Sequence, residues 1–134
     1  YLHWGHDISP AENPFDANLG FAVKLNKKEN FIGKEFLLKE KNLIKKRFMM
    51  CTINNSKPGK PLVLHDEPIF YKDQIVGNTT SSNFSFYYNK NLFLGYALSG
   101  SETENLAVEV EGKKFPIKLE KKPLHDPTTE YMRN

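Results

Sequence analysis

The amino-acid sequence predicts a mainly β fold: a small antiparallel barrel or sandwich preceded by a mixed α/β arm. Short runs rich in Val, Ile, Phe, Tyr and Thr recur from Phe48 to Leu119, each bounded by Gly, Pro, Asn or Ser. Such spacing suggests a small barrel or sandwich. In Ala107-Val108-Glu109-Val110-Glu111, Val108 and Val110 face one way and Glu109 and Glu111 the other, the period of a half-buried strand. The best helical pattern, Lys34 to Asn42, comes before this region.

In chain order, Asp7 to Pro14 reads as a loop with two prolines, and Pro14 suits the first position of a short helical turn through Leu19. Phe21-Ala22-Val23-Lys24-Leu25 reads as a strand and Asn26 to Asn30 as a polar turn. In the helix, Phe36, Leu37 and Leu38 form an apolar patch, and Glu35 precedes Lys39 by four residues, the favourable order for an ion pair. Lys45-Lys46-Arg47 is expected to be a solvated connector into the strand Phe48–Ile53. Asn54 to Lys60 is a loop, and Leu62-Val63-Leu64 is ambiguous. Glu67-Pro68-Ile69-Phe70-Tyr71 and Val76-Gly77-Asn78-Thr79-Thr80-Ser81-Ser82 form a hairpin around Lys72-Asp73-Gln74. A glycine inside a strand marks a bulge or a close approach of backbone; four hydroxyl residues in a row end this run. Phe84 to Tyr88 alternates in part, and Leu92 to Leu98 is apolar enough for burial on both faces. Ala107–Glu111 and Phe115–Leu119 make a last hairpin around Gly112-Lys113-Lys114, with Pro116 pointing to an edge or a bulge.

With 134 residues the chain has room for one domain, or one domain plus an arm. The 39% hydrophobic and 26% charged shares fit a soluble globular protein. The net charge of +3 fits a solvated lysine surface, so no nucleic-acid partner is expected. No apolar run nears the ~20 residues of a membrane span, so no membrane partner is expected either. Cys51 is the only cysteine, which points to a reducing, cytoplasmic setting. The dense opening Tyr1-Leu2-His3-Trp4-Gly5-His6 is unlike a loose terminus, so the chain is expected to be a piece of a longer protein.

Candidate chemistry is sparse. Cys51 lies in an apolar run and reads as a buried, inert thiol. His3, His6 and Asp7 are too few for a structural metal site, with His65 and His125 in other loops, so no metal is expected. Ser81, Ser82, His6 and Asp7 supply the residue types of a hydrolytic triad, but nothing supplies its strained elbow. There is no P-loop and no Gly-x-Gly-x-x-Gly. Trp4 is either a stacking surface for a ring ligand or a half-buried anchor at a domain junction. Lys27 and Lys28 form either a solvated turn or a pair of point charges for a carboxylate ligand.

Four collinear passages add to this reading: Tyr1 to Ile8 with Asn13 to Phe21; Val23-Lys24-Leu25-Asn26-Lys27 with Asn30 to Glu35; Glu67-Pro68-Ile69 with Val76 to Ser82; and Pro123-Leu124-His125-Asp126-Pro127. Together they resemble the end of a tetrahydrofolate-binding aminomethyltransferase module of the glycine-cleavage T-protein type. The Tyr-x-x-Trp-Gly opening and Met132-Arg133 look more like the versions fused behind FAD-dependent dimethylglycine and sarcosine dehydrogenases. The resemblance implies that residues 1–44 end a folate-binding domain and that residues 45–134 are its C-terminal β-barrel. It implies one-carbon transfer: an upstream flavin domain oxidises an N-methyl amine, and tetrahydrofolate takes the carbon. The catalytic aspartate and pterin-binding acid of such modules lie upstream, so no catalytic residue is expected here, and FAD would sit on a domain outside this chain. Lys27 falls where the family places a basic contact to the folate glutamate tail, with Lys28 able to substitute; Trp4 and Arg133 are further expected ligand contacts. The partners implied are those upstream folate-binding and flavin domains and a small N-methyl amine. Alternatives are a stand-alone aminomethyltransferase, a folate-dependent demethylase, or a non-catalytic β-barrel interaction module.

Overall fold

A computed structural model describes residues 2–101 and 105–133. Among these, seven strands form one antiparallel sheet: β1 (Lys46–Ile53), β2 (Pro68–Tyr71), β3 (Gln74–Ser85), β4 (Lys90–Leu98), β5 (Leu106–Val110), β6 (Lys113–Pro116) and β7 (Lys118–Glu120). Their order across the sheet is β6-β5-β2-β3-β4-β1-β7. The two outermost strands, β6 and β7, are separated in the chain by Ile117 alone. One residue joins both ends of a sheet only if the sheet curls round on itself, so the barrel is closed by covalent chain. Pro116, which lacks an N–H, ends edge strand β6 at this switch, where the missing donor breaks no ladder.

Alternation along the strands fills the interior. Met49, Cys51 and Ile53 of β1, Phe93 and Ala97 of β4, and Leu106, Val108 and Val110 of β5 point inward with Ile69, Val76 and Val63. The inward Val108 and Val110 match the period read from the sequence. Two turns are tighter than the sequence suggested. Lys113 pairs with Val110, so the last hairpin turns on Glu111-Gly112, both at positive φ (51° and 72°), which suits a type I′ turn. Lys113 and Lys114 belong to β6. Gln74 pairs with Tyr71, leaving Lys72-Asp73 as the turn of the β2–β3 hairpin.

β3 runs on through the hydroxyl cluster to Ser85, and Phe86 to Asn89 turn the chain into β4. Two irregularities bend it. The pairing with β2 skips Val76, and the pairing with β4 shifts between Thr79 and Ser82. Gly77 meets β4 so closely that a Cβ there would lie 1.8 Å from the Tyr96 carbonyl oxygen. The bulge and the close approach that a strand glycine signals are therefore both present, on adjacent residues. The expected two-faced burial of Leu92–Leu98 is corrected. Phe93 and Ala97 are buried inside and Tyr96 is buried outside, but Leu92 and Leu94 are half-buried and Leu98 is exposed. Barrel walls have one inner face; the outer face is covered only where another element lies on it.

That element is the arm. Its helix α1 (Lys34–Glu40) agrees with the sequence reading. The strand expected over Phe21–Leu25 does not: Gly20–Ala22 is a 3-10 turn, and Leu25-Asn26 turn again. No strand lies alongside among the described residues, so an extended backbone here would lack ladder partners. Residues 2–19 sit against the barrel. The Phe48 N–H donates to the Asp16 carbonyl at 2.8 Å, and the Asn18 amide donates to the Phe48 carbonyl at 2.6 Å. Lys46 and Arg47 are not a connector but the start of β1, and the Lys46 ammonium donates to Glu12 at 2.6 Å while lying 4.8 Å from the Tyr96 ring centre. A charge predicted to be solvated is drawn in because the carboxylate and the ring replace its water. Residues 20–44 instead expose Phe21, Ile32, Phe36, Leu38 and Leu43.

The Gly77 contact has a direct consequence. Gly77→Ala is expected to destabilise the protein by about 1–3 kcal/mol or more, because the neighbour met is backbone and cannot rotate away. Chemical denaturation reads this as a lowered midpoint, and an unchanged midpoint would show that β3 and β4 are not so close.

Candidate functional site

The hydroxyl run of β3 is spent on binding other parts of the chain. Thr79 Oγ1 donates to the Leu64 carbonyl at 2.6 Å and accepts the Glu67 N–H at 3.0 Å; Ser82 Oγ donates to the Val63 carbonyl. Thr80 Oγ1 and Ser81 Oγ, at the irregularity in β3, both donate to Asp7 Oδ1, at 2.6 and 2.7 Å. The other oxygen, Oδ2, accepts the His3 N–H at 2.8 Å, and the Tyr96 hydroxyl donates to the Asp7 carbonyl at 2.8 Å. Asp7 is 1% exposed. Burial pushes its carboxyl upward, but the bonds from Thr80, His3 and Ser81 outweigh burial and hold it below its ordinary 3.8. Glu12 is likewise held low: burial raises it, and the bonds from Lys46 and Ser9 win. Burial, with help from the carboxylates of Glu12, Asp16 and Asp7, raises the Tyr96 phenol, which therefore stays a donor.

These bonds tie up the two serines that supplied the residue type of a triad. The Ser81 and Ser82 protons go to Asp7 and Val63, not to an imidazole. Cys51 is buried, and burial pushes its thiol to about 12, so it is not a thiolate near neutral pH. His65 comes from another loop to His6: the His3, His6 and His65 rings follow one another at 4.7 and 5.5 Å. Among the described residues, however, no group of three or more His, Cys, Asp or Glu side chains is arranged to hold a metal.

The sequence-predicted ligand residues separate. Lys27 lines an open cavity of about 600 Å³ with Phe15, Val23, Leu25, Lys24 and Lys41. The Lys34 ammonium donates to the Lys27 and Glu29 carbonyls, which ties this turn to α1. Lys27 itself is more than half exposed and 3.9 Å from Glu29, too open for that pair to hold it. Lys28 is exposed and does not line the cavity; nor does Trp4, which is 69% exposed, or Arg133, in the last helical turn α2 (Glu130–Arg133). Lys24 and Lys41 are the cations that sequence reasoning missed. Lys24 stood three residues before Lys27, a spacing a turn brings together, whereas Lys41 arrives only because α1 folds back. No acidic side chain lines the cavity. Three lysines beside a partly apolar wall, one of them with its ammonium also on the Phe21 carbonyl at 3.3 Å, suit an organic anion such as a carboxylate.

A family model described as the glycine cleavage T-protein C-terminal barrel domain matches residues 46–126. The chain belongs to that family. The matched stretch begins at the first residue of β1. The chain is 36% identical over 123 residues to the mitochondrial dimethylglycine dehydrogenase of Mus musculus, covering 90% of the chain and 14% of that relative. It is 34% identical over 122 residues to an aminomethyltransferase of Synechocystis, covering 89% of the chain and 32% of that relative. The crystal structure of the glycine cleavage system aminomethyltransferase T from Bartonella henselae superposes with a TM-score of 0.81 at 22% identity, covering 95% of this chain and 36% of that one. That likeness establishes the fold and extends it to the arm. No helix among the described residues is long and apolar enough to cross a membrane.

Both carboxylates joining arm to barrel, Asp7 and Glu12, have lowered pKa values. A carboxyl depressed on folding adds stability above its unfolded pKa, and this is lost as pH falls through the folded value. Stability should therefore hold from neutral pH down to about 5 and then fall below about pH 4. Asp7→Asn should cost about 1–3 kcal/mol at pH 7 and flatten the acid limb, because one amide hydrogen would face the His3 N–H. Denaturation midpoints at several pH values check this; an acid limb unchanged in the variant would contradict it.

Proposed function

We propose that this chain is the end of a tetrahydrofolate-dependent one-carbon transfer module. In this reading residues 1–44 complete a folate-binding domain and residues 45–134 are the barrel packed over it. The observation that carries the reading is that one segment of this chain matches two kinds of relative. It spans 14% of a dimethylglycine dehydrogenase and 32% of an aminomethyltransferase. What those proteins share with this chain is a module, not a whole enzyme. The open apolar side of residues 20–44 supports the same view, since a neighbouring domain would cover Phe21, Phe36 and Leu43.

Tetrahydrofolate, when bound, supplies the acceptor for the one-carbon unit. Lys27, with Lys24 and Lys41 beside it, would hold the carboxylates of the ligand's glutamate tail, and exposed Lys28 would add long-range attraction. Trp4 would offer a ring face from the same arm. Arg133 is assigned a contact only in the assembled protein, where another domain would bring ligand to the barrel side. Catalysis and any FAD would belong to upstream segments. We favour the FAD-dependent dimethylglycine- or sarcosine-type dehydrogenase because of the Tyr-x-x-Trp-Gly opening, with a small N-methyl amine as substrate. A stand-alone aminomethyltransferase stays close behind, since the two relatives' identities of 36% and 34% barely differ.

Tetrahydrofolate titrated into the full-length protein should bind saturably. Lys27→Ala plus Lys28→Ala should weaken that binding about tenfold, equal to about 1.4 kcal/mol. No saturable binding, or binding that ignores the double substitution, would overturn the assigned site. A flavin spectrum in the same preparation would distinguish the dehydrogenase from the stand-alone enzyme.

A further inference from the structure

The lysine cavity of the arm is organised by a cation that does not line it. Lys34 is the first residue of α1 and is half-buried. The start of a helix favours acids, because its unpaired N–H groups leave it partly positive. Gly33, the residue before, has no side chain to cap those groups. The helix by itself does not favour a lysine here, and a residue that breaks a local rule marks a constraint from elsewhere. Its bonds show that constraint. The Lys34 ammonium reaches back over the preceding turn and donates to the Lys27 carbonyl at 2.5 Å and the Glu29 carbonyl at 3.4 Å. It also lies 5.9 Å from the centre of the Phe31 ring.

Inside the turn the bonds join near neighbours. The Lys27 N–H donates to the Lys24 carbonyl at 3.2 Å, and the Lys24 ammonium to the Phe21 carbonyl at 3.3 Å. Such bonds shape a turn without placing it. The Lys34 bonds reach back seven and five residues and fix the turn to the helix. At the other end of α1, the Lys41 N–H donates to the Leu37 carbonyl at 3.0 Å, and Lys41 lines the cavity. The helical rise between Lys34 and Lys41 is about 10 Å. One end of α1 therefore grips the turn that carries Lys27, and the other end carries Lys41. A lysine is a point charge on a flexible stem. Two of them engage two carboxylates of one ligand together at low entropic cost only when their backbones are already held in place.

We propose that Lys34 is a positioning residue of this cavity: by clamping the Lys27–Glu29 turn to α1 it holds Lys27 at a set separation from Lys41, so that the site selects ligands with two neighbouring carboxylates over ligands with one. The proposal rests on the reading of the cavity as the chain's ligand site. Without the Lys34 ammonium, Lys24, Lys27 and Lys41 keep their charges, but the turn is no longer fixed to the helix.

The test uses the full-length protein and calorimetric titration with two probes: tetrahydrofolate, which ends in two carboxylates, and tetrahydropteroate, which has the same ring system and ends in one. Lys34→Met keeps the aliphatic stem and should weaken tetrahydrofolate binding about fivefold or more, and tetrahydropteroate binding by less than about twofold. Lys34→Arg, whose guanidinium can serve both carbonyls, should restore most of the loss. Lys39→Met removes a charge from an exposed position of α1 and should leave both affinities nearly unchanged. In the protein without ligand, the Lys27 N–H should exchange faster in Lys34→Met while the amides of β3 and β4 keep their protection. If neither probe binds the unaltered protein, the ligand reading fails and the inference falls with it. If tetrahydrofolate binds but Lys34→Met weakens both probes equally or neither, if Lys39→Met has the same effect, or if Lys27 exchange is unchanged, the inference alone is overturned.

Discussion

Asp7 carries a carboxylate into the seam between arm and barrel, and a charge so buried is tolerated only where donors replace its water. Thr80 and Ser81 meet one oxygen and the His3 N–H meets the other. Each of these donors depends on something else. The hydroxyls aim at Asp7 from the irregular stretch of β3, and β3 holds its course because Gly77 lets it press against β4. Tyr96, on the β4 residue whose carbonyl Gly77 approaches, donates its phenol to the Asp7 backbone. A glycine, two hydroxyl residues, one tyrosine and one aspartate therefore form a single unit. Removing Thr80 or Ser81 as a donor leaves a buried charge with fewer partners, a larger loss than an exposed bond would cause.

This unit decides what the barrel presents. With residues 2–19 fastened, residues 20–44 are carried at a fixed place beside the sheet, and the lysine cavity lies wholly within this arm. The barrel does not line the candidate ligand cavity; it anchors the segment that does. Such a division suits a chain in which the ligand-facing loops and the supporting barrel come from different parts of a larger module.

Much of the barrel was legible because its signals are local. Alternation at Val108 and Val110, the proline that ends β6, and the glycine before the hydroxyl run each have one physical meaning in a strand. The arm was less legible because its structure depends on distant residues. Phe21–Leu25 has strand-like composition, but strand needs a neighbour and none is present among the described residues. Lys46 looked solvated until Glu12, 34 residues earlier, came beside it. Ser81 and Ser82 could be seen to lack the strained elbow of a hydrolytic site, yet nothing local names Asp7, 73 and 74 residues away, as the acceptor for Thr80 and Ser81. The candidate site was half-visible for the same reason: Lys27 could be singled out, whereas Lys41 joins it only after α1 has formed and turned back.

The dependence of the arm on this seam is tested most directly by hydrogen exchange. The Asp7 N–H is bonded to the His3 carbonyl at 2.8 Å and the Leu19 N–H to the Pro14 carbonyl at 2.7 Å, both within the fastened part of the arm. These amides should exchange about as slowly as those of β3 and β4. In a Thr80→Val plus Ser81→Ala variant they should exchange much faster while the strand amides keep their protection. Fast exchange at Asp7 and Leu19 in the unaltered protein, or no change in the variant, would contradict the account.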